Sequence, residues 1–537
     1  MFNNDSSVYP YAAKRNVVYA KNGMVATSQP LASQAGLEIL KKGGNAVDAA
    51  IATAACLTVV EPTSNGIGGD AFAIVWMKSE IYGLNASGPA PQGISIEKLK
   101  EKGITEMPRH GFIPVTVPGI PSAWAALNKR FGKLTLKDCL APAIKYAEEG
   151  YPLSPTLAYY WNNAYKIYRN LFKGEEFDSW FKTFAPKGRA PLAGEIWSSK
   201  DHANTLKLIG ETNASAFYQG ELADQIDDFS RQYGGYIRKS DLETFTPEWV
   251  NPIQIDYRGY KVWELPPNGQ GIVALQALNI LKGFTFNDRD QIDTMHKQIE
   301  AIKLAFADSE AYVTELKEMK EKISDLLSDE YAERRRSIIT DTALLPTCGE
   351  PRSGGTVYLA TADAKGNMVS YIQSNYMGFG SGLVVPGTGI ALQNRGHNFS
   401  LDGNHVNKLM PGKRTLHTII PGFLTKGEEA IGPFGVMGGF MQPQGHLQVI
   451  MNSIDFGLNP QSALDAPRWQ WLKDKQISVE QSMPNHLVNQ LAARGHQVKV
   501  EYNSGSFGRG QIIWRNPQTG VLVGGTESRT DGAIAAW

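Results

Sequence analysis

The segment that most constrains the fold runs from residue 341 to residue 374, where a flexible stretch leads into two strand-like stretches. Residues 341–355, DTALLPTCGEPRSGG, combine prolines, glycines and small polar residues, which is typical of an exposed linker. Residues 356–362 (TVYLATA) and 368–374 (MVSYIQS) have strand composition, and residues 363–367 (DAKGN) carry turn residues. The pattern predicts a β-hairpin that begins immediately after the linker.

The register of this hairpin brings two hydroxyl groups together. A five-residue loop pairs Ala362 with Met368, and counting back along both strands places Thr356 opposite Ser374. Cleavage between Gly355 and Thr356 would leave a threonine with a free α-amine, whose pKa of about 7.7–8.0 suits it to accept the hydroxyl proton. These are the groups of an N-terminal nucleophile. On spacing alone, an ordinary β-branched strand residue remains the favoured interpretation of Thr356.

Length and composition indicate a large globular protein that acts on small molecules. At about 100–200 residues per domain, 537 residues predict two to four domains or one large enzyme fold. Lys plus Arg and Asp plus Glu each number 53, so the formal charge is zero. A nucleic-acid or anionic-membrane partner is normally matched by a basic excess. We therefore expect a small-molecule substrate and neither a nucleic-acid nor a membrane partner.

Cofactor and metal motifs are absent from the sequence. Cys56, Cys139 and Cys348 lie far apart, which fits neither a metal-ligand spacing nor a disulfide framework. The glycine-rich residues 66–69 precede an apolar run instead of opening a helix, unlike a dinucleotide-binding loop. We expect no cofactor and no metal. The first residues have no apolar core of the kind a secretory signal carries, so we expect a cytoplasmic protein.

Helical patterns precede the hairpin. Residues 28–62 predict two helices joined at residues 43–45, with Asn45 capping the second, and residues 71–77 predict a buried strand. Residues 134–161 and 296–313 also have helical periodicity. The highly charged residues 315–336 predict a solvated helical face.

Motifs spread over nearly the whole chain resemble the γ-glutamyltranspeptidase family. The matching segments are KKGGNAVDAAIA (41–52), VVEPTSNGIGGDAFAIV (59–75), VPGIPSAW (117–124), EAIKLAFADSEAY (300–312), GGTVYLATADAKGNMVS (354–370), MGGFMQPQGHLQV (437–449) and NSIDFGLNPQSALDAPRW (452–469).

The resemblance implies an α+β fold, the four-layer αββα sandwich of N-terminal-nucleophile hydrolases. It also implies a precursor that cuts itself between Gly355 and Thr356 into a large subunit of residues 1–355 and a small subunit of residues 356–537. The two subunits would form a heterodimer within one catalytic domain, with larger oligomers left open.

The resemblance also assigns catalytic roles by motif match. Thr356 falls on the nucleophile and Ser374 on the second hydroxyl that supports it. Gly438 and Gly439 fall on the consecutive glycines whose amides form the oxyanion hole, which stabilises a tetrahedral intermediate. Without the family match, Gly438 and Gly439 would be interpreted as a plain turn.

The sequence departs from the family where the γ-glutamyl head group is recognised. The arginine that normally binds the α-carboxylate falls on Ser87, so the bidentate clamp is missing. The amide and acid that normally bind the α-amino group fall on Arg395 and Asn398. The family's pair of serines falls on His417 and Thr418.

Two further departures concern the rim of the site. The asparagine near the end of the hairpin is displaced by one position, so Asn375 or Tyr376 takes its place. Residues 399–413 form a shorter loop than in members with a lid, which implies a more open cleft. A structural histidine and a site residue are equally good interpretations of His417.

Together the departures disfavour a zwitterionic γ-glutamyl head group. Arg395, with Arg414, can instead hold a carboxylate, although structural ion pairs are an equally good interpretation of Arg414. The pattern is similar to the branch of cephalosporin-acylase-like and oxamate-type amidohydrolases, which implies cleavage of other small amides. Two alternatives stay open: a true γ-glutamyltransferase or glutathione hydrolase, and an uncleaved protein that only binds ligands.

Overall fold

The computed structural model describes residue 11, residues 15–346 and residues 355–537. Most of the expected linker, residues 347–354, lies outside the described residues, and so does Cys348. Gly355 already belongs to a strand.

The strands of the described part are β1 (Val18–Ala20), β2 (Gly23–Thr27), β3 (Asp70–Met77), β4 (Glu80–Ala86), β5 (Tyr151–Pro152), β6 (Ile196–Trp197), β7 (Glu248–Val250), β8 (Ile253–Tyr257), β9 (Tyr260–Glu264), β10 (Gly355–Asp363), β11 (Met368–Tyr376), β12 (Gly422–Lys426), β13 (Glu429–Met437), β14 (Trp469–Lys473), β15 (Gln476–Glu480), β16 (Gln497–Glu501), β17 (Arg509–Arg515), β18 (Leu522–Thr526) and β19 (Ala533–Ala536).

The helices of the same part are α1 (Pro30–Lys41), α2 (Ala46–Val60), α3 (Ile96–Glu101), α4 (Ile120–Phe131), α5 (Leu136–Glu149), α6 (Pro155–Leu171), α7 (Asp178–Phe184), α8 (Lys200–Thr212), α9 (Ser215–Tyr218), α10 (Glu221–Gln232), α11 (Lys239–Glu243), α12 (Gly271–Leu281), α13 (Ile292–Tyr312), α14 (Ile323–Leu326), α15 (Asp329–Arg336), α16 (Met441–Ile454), α17 (Pro460–Asp465) and α18 (Asn485–Ala493). None of these helices combines the length and the apolar character needed to cross a bilayer.

Two seven-stranded antiparallel sheets form the centre of the molecule. The first has the order β1-β18-β17-β13-β12-β9-β8 and the second the order β19-β2-β10-β11-β3-β4-β7. One apolar cluster lies between the sheets and includes Tyr358, Ile372 and Phe423. Two larger clusters join the outer faces to helices: α2 and α5 cover the second sheet, and α12, α13 and α16 cover the first. The expected αββα sandwich is confirmed.

The helix α2 shows how local sequence sets this layering. Asn45 accepts hydrogen bonds from the backbone N–H groups of Val47 and Asp48, and the Asp48 carboxylate accepts one from the N–H of Asn45, a reciprocal capping box. All fifteen residues of the helix are buried, which its small alanine side chains permit. The predicted break at residues 43–45 and the predicted cap are both present.

Two other helical expectations are confirmed, with interruptions that the sequence analysis did not predict. Residues 134–161 do not form one helical unit, because Gly150 has a φ of 84° and ends α5 before the short strand β5. Residues 315–336 form a 3₁₀ turn and the short helices α14 and α15, and most of these residues are exposed or partly exposed. The expected solvated helical face is therefore present, divided into short pieces because the segment supplies little apolar surface for packing.

Candidate active site

The Thr356 and Ser374 hydroxyls meet at one end of the β10–β11 hairpin. Ala362 pairs with Met368 as predicted, and the register stays regular up to Val357. A bulge between Gly355 and Val357 then shifts the pairing, and Thr356 Oγ1 donates to Ser374 Oγ over 3.1 Å.

Both hydroxyls are buried at the inner face of the second sheet. Thr356 is 1% exposed and Ser374 is fully buried. Because side chains alternate along a strand, Thr356 and Ser374 face the same inter-sheet space as Tyr358 and Ile372. Ser374 Oγ also accepts a hydrogen bond of 2.7 Å from the Tyr376 backbone N–H, which fixes its orientation.

A glycine turn joins β13 to α16. Gly438 has a φ of 141° and Gly439 a φ of 61°, so both occupy backbone conformations that favour glycine. The turn leads directly into the N-terminus of a fourteen-residue helix, where the N–H groups of Met441 and Gln442 donate to the Gly438 and Gly439 carbonyls and the helix dipole favours negative charge. The glycines that the resemblance assigned to an oxyanion hole therefore lie at the positive end of this helix dipole.

Gln270, which the sequence analysis did not identify, holds this turn in place. Its Nε2 donates to the Gly439 carbonyl over 2.9 Å and to the Thr418 carbonyl over 2.6 Å, and its backbone N–H donates to the His417 carbonyl over 3.0 Å. A buried glutamine at the start of α12 thus joins two segments that carry predicted site residues.

A buried charged cluster lies beside the hydroxyl pair. Asp70 pairs with Ser374 across the β3–β11 ladder. Its Oδ2 lies 2.9 Å from His417 Nε2 and 4.0 Å from Arg395 Nε, while its Oδ1 accepts from the Gly88 N–H over 3.1 Å. All three side chains of the cluster are fully buried. Asp70 is an acidic side chain that the sequence analysis did not count as part of the site.

Burial is the main cause of the pKa shifts in this cluster. It raises the pKa of Asp70 to about 7, against the opposing effect of Arg395. It lowers the pKa of Arg395 to about 10, although Asp70 acts in the other direction. The pKa of His417 is well below its ordinary value, because of burial and then of the Arg395 charge. His417 is therefore a neutral imidazole near neutral pH.

Several buried polar atoms of the cluster have no hydrogen-bond partner among the described residues. Arg395 Nη1 donates to Thr418 Oγ1 over 2.7 Å, and the guanidinium stacks 4.4 Å above the Tyr376 ring. Its Nε and Nη2 have no acceptor, and both side-chain polar atoms of Asn375 are also unsatisfied. Buried unpaired donors are costly, so these atoms together form a candidate site for a polar ligand.

The other residues that the sequence analysis assigned to substrate recognition form hydrogen bonds or ion pairs within the protein. Ser87 is buried, and its hydroxyl donates to Asn85 Oδ1 over 2.7 Å. Asn398 Nδ2 donates to the Leu416 carbonyl over 3.0 Å. Arg414 contacts the Ser87 carbonyl and forms ion pairs with acidic side chains, so of its two interpretations the structural one holds.

A cleft of about 490 Å³ opens next to these groups. Its lining includes Asn398, Leu416 and Phe440, the residue that follows Gly439. Thr356 and Ser374 are not among the lining residues. The cleft therefore adjoins the glycine turn and the end of the charged cluster without reaching the hydroxyl pair.

One group of side chains has the composition of a metal site, away from the hydroxyl pair. His296, Glu300 and His496 are buried, with possible ligand atoms within 4.8 Å of one another. The Lys303 ammonium already pairs with Glu300 at 2.7 Å, and the two imidazoles share a contact of 2.9 Å. A lysine charge here competes with a cation, so the arrangement fits an internal hydrogen-bond network better.

Comparison with known proteins gives consistent matches over most of the chain. The family model described as Gamma-glutamyltranspeptidase matches residues 32–537. The chain is 36% identical over 520 residues to the glutathione hydrolase-like YwrD proenzyme of Bacillus subtilis (strain 168), covering 95% of this chain and 97% of that protein. It is 32% identical over 529 residues to the oxamate amidohydrolase proenzyme of Klebsiella pneumoniae subsp. pneumoniae, covering 96% and 98%.

A solved structure matches more strongly still. The crystal structure of cephalosporin acylase from Bacillus halodurans is 65% identical in sequence and superposes with a TM-score of 0.96, covering 99% of each chain.

Proposed function

Because this chain belongs to the γ-glutamyltranspeptidase family, close to its acylase and amidohydrolase members, we propose that it is a proenzyme that cleaves itself before Thr356. The mature enzyme then hydrolyses small amides whose acyl group carries a carboxylate instead of a γ-glutamyl head group. The observation that carries the proposal is the hydrogen bond of 3.1 Å between Thr356 Oγ1 and Ser374 Oγ at a strand end. The proenzyme names of the relatives support self-cleavage.

Self-cleavage and turnover use the same hydroxyl. Thr356 Oγ1 attacks the Gly355 carbonyl carbon, the peptide C–N bond breaks, and water hydrolyses the resulting ester. This leaves a Gly355 carboxylate and a free Thr356 α-amine. The large subunit is then residues 1–355 and the small subunit residues 356–537.

In turnover the α-amine serves as the base. It takes the proton of Oγ1 as the oxygen attacks the substrate carbonyl, and it passes that proton to the leaving amine. Ser374 orients the nucleophile, and the Gly438 and Gly439 amides stabilise the oxyanion. Water then cleaves the acyl-enzyme ester, releasing the acid and restoring Thr356.

The charged cluster supports the choice of acyl group. Arg395 offers two buried N–H-bearing atoms without acceptors, and the Asn375 amide is also unsatisfied. A carboxylate can fill this place, since a guanidinium fork is its usual partner. Thr418 and Tyr376 contact the Arg395 guanidinium, and we assign Ser87, Asn398 and His417 to the remainder of the acyl site.

The test compares anilides that share one chromogenic leaving group. We expect the wild-type enzyme to hydrolyse a glutaryl or succinyl anilide with at least tenfold higher kcat/KM than the γ-glutamyl anilide, and Thr356→Ala to hydrolyse none. In Arg395→Gln the ratio of kcat/KM for the glutaryl or succinyl anilide to that for the γ-glutamyl anilide should fall about 10- to 100-fold. This is the effect of losing a charged hydrogen bond. A preference for the γ-glutamyl anilide would favour a glutathione hydrolase instead.

A further inference from the structure

A buried carboxylate, that of Glu61, bridges the two central sheets. Glu61 directly follows α2 and is buried. Its Oε2 accepts a hydrogen bond of 2.5 Å from the Ser28 hydroxyl, and its Oε1 lies 3.6 Å from Arg509 Nη1. Ser28 directly follows β2 of the second sheet, and Arg509 is the first residue of β17 in the first sheet. One side chain therefore contacts segments of both sheets.

On the side of the second sheet, this contact leads to the strand of the proposed nucleophile. Thr27, which precedes Ser28, belongs to β2, and β2 pairs with β10. The Thr27 hydroxyl donates to the Tyr358 carbonyl of β10 over 3.0 Å. Thr356 lies two residues before Tyr358 on the same strand. The hydrogen bond between Ser28 and Glu61 thus attaches Glu61 to the strand pair that carries Thr356.

On the side of the first sheet, the contact leads to the glycine turn. Arg509 pairs with Met437, the last residue of β13, and Gly438 comes next in the chain. A Cβ atom placed on Gly438 would lie 3.1 Å from Gly508 Cα, so the backbones of these two glycines are in close contact. The backbone around Arg509 therefore packs against the turn.

Arg509 depends on Glu61 for its charge pairing. The guanidinium lies 4.5 Å from the centre of the Tyr160 ring, and its Nε has no acceptor among the described residues. Glu61 is the one carboxylate that forms a salt bridge with Arg509 in the described part of the chain. Removing the partner of a buried cation is strongly destabilising. An ionised Glu61 therefore helps to hold the start of β17 in place.

The charge of Glu61 changes near neutral pH. Burial raises its pKa to about 7, against the opposing effects of the Arg509 charge and the Ser28 hydrogen bond. Glu61 shares a small cavity with Arg509 on β17, Tyr160 on α6 and Asp531 in the segment before β19, and the Asp531 charge also raises the pKa of Glu61. Below about pH 7 the pair with Arg509 loses its negative charge.

We propose that Glu61 is a positioning residue for catalysis: it holds Thr356 and the glycine turn at residues 438–439 at a fixed separation. This role rests on the proposed function, which makes Thr356 the nucleophile and the turn the oxyanion hole. A misplacement of about 1 Å between such groups can cost about 100-fold in rate. Since Glu61 does not belong to the proposed acyl site, its loss should lower kcat and leave KM nearly unchanged.

Steady-state kinetics of Glu61→Gln on the glutaryl anilide test this role, because the variant keeps the shape of the side chain and cannot ionise. The ratio of wild-type kcat to variant kcat should be below twofold at pH 6 and at least fivefold at pH 8.5, with KM changed less than twofold at both. Titration of the α-amine cancels in this ratio, because both enzymes share it. A ratio that does not depend on pH would overturn the inference.

Two further substitutions control for general damage. Arg509→Met should lower kcat at least fivefold at pH 8.5, whereas Arg509→Lys, which keeps the charge, should retain at least half of the wild-type kcat. Asp455 is another largely buried carboxylate, paired with Arg258 at 3.1 Å, and burial raises its pKa. Asp455→Asn should therefore give the same kcat ratio to wild type at both pH values. A pH-dependent ratio in Asp455→Asn would overturn the assignment to Glu61.

Hydrogen–deuterium exchange tests the positioning without turnover, on the uncleaved Thr356→Ala chain. After correction for intrinsic rates, adding Glu61→Gln should speed exchange of the amides of residues 436–442 at least fivefold at pH 8.5 and less than twofold at pH 6. Unchanged exchange at pH 8.5 would overturn the inference even if no amide were hydrolysed. Hydrolysis of the glutaryl anilide with a pH-independent kcat ratio would overturn it while the proposed function stands.

Discussion

Asp70 and Arg395 lie close together at the buried end of the site, so the charge of each side chain affects the other. Under the proposed function Arg395 is the guanidinium that binds a substrate carboxylate, and Asp70 lies 4.0 Å from its Nε. Because burial raises the pKa of Asp70 to about 7, this side chain changes charge in the working pH range. We therefore expect the protonation state of Asp70 to affect how strongly Arg395 attracts an anion.

The interaction between Asp70 and Arg395 predicts that KM for amides with an anionic acyl group depends on pH. Below about pH 7 Asp70 is neutral and the Arg395 charge is available; above it the Asp70 carboxylate competes with the substrate. KM for the glutaryl anilide should therefore rise as pH increases from 6 to 8. Steady-state kinetics across this range measure it.

Asp70→Asn is the matched variant for that prediction, because it keeps the shape of the side chain and removes its charge. Its KM should stay nearly constant over the same pH range, and an acetyl anilide should show no comparable trend with the wild type. A wild-type KM that falls between pH 6 and 8 would contradict this account of the cluster.

Ser374 has a prediction of its own at the residue scale. Ser374→Ala removes the hydroxyl that accepts from Thr356 Oγ1, so self-cleavage and kcat should each fall about three- to tenfold, the value of one hydrogen bond. Ser370→Ala is the control: it lies on the same strand face and bonds to the Tyr358 hydroxyl. Equal losses in both variants would indicate general damage to β11 instead of a role at the nucleophile.

At the scale of single elements, the N-cap of α2 has a measurable contribution to stability. Asn45→Ala removes the bonds to the N–H groups of Val47 and Asp48 and the bond from Nδ2 to the Phe131 carbonyl. The free energy of unfolding should fall by about 1–2 kcal/mol. Ser95→Ala, at the partly exposed cap of the short helix α3, should cost about 0.5 kcal/mol. Urea unfolding of the two variants measures these losses. A larger loss for Ser95→Ala than for Asn45→Ala would contradict the assignment of the α2 cap.

The same elements show what sequence patterns can predict. The β10–β11 register and the α2 cap depend on neighbours a few residues apart, so turn composition and capping residues predict them. The contact between Asp70 and His417 joins residues 347 positions apart, and no local pattern reports it. The sequence signal for this contact was Asp70 itself, a charged residue at the start of an otherwise apolar strand. Gln270 gave no comparable signal, because its role depends on carbonyls of distant segments.

For the whole molecule, the two proposed subunits are interleaved within both sheets. In the second sheet, β2 of the large subunit lies between β19 and β10 of the small subunit. In the first sheet, β1 pairs with β18, and β9 pairs with β12. Cleavage of one peptide bond therefore leaves the sheets and their core intact.

This interleaving predicts that the cleaved subunits stay associated under native conditions. Denaturing electrophoresis should show two bands, while light scattering after size exclusion should give the mass of the full chain, 58.8 kDa, or a multiple of it. Raising the salt concentration should not separate them, because burial of apolar surface dominates the interface. Elution of a separate small subunit would contradict the description of one shared core.

The central claim is that Thr356 is a nucleophile released by self-cleavage, and intact mass with N-terminal sequencing tests it most directly. Purified wild-type protein incubated near neutral pH should give two fragments, the smaller beginning at Thr356, while Thr356→Ala stays intact. A wild-type chain that remains whole, or a Thr356→Ala chain cut at the same bond, would contradict the claim.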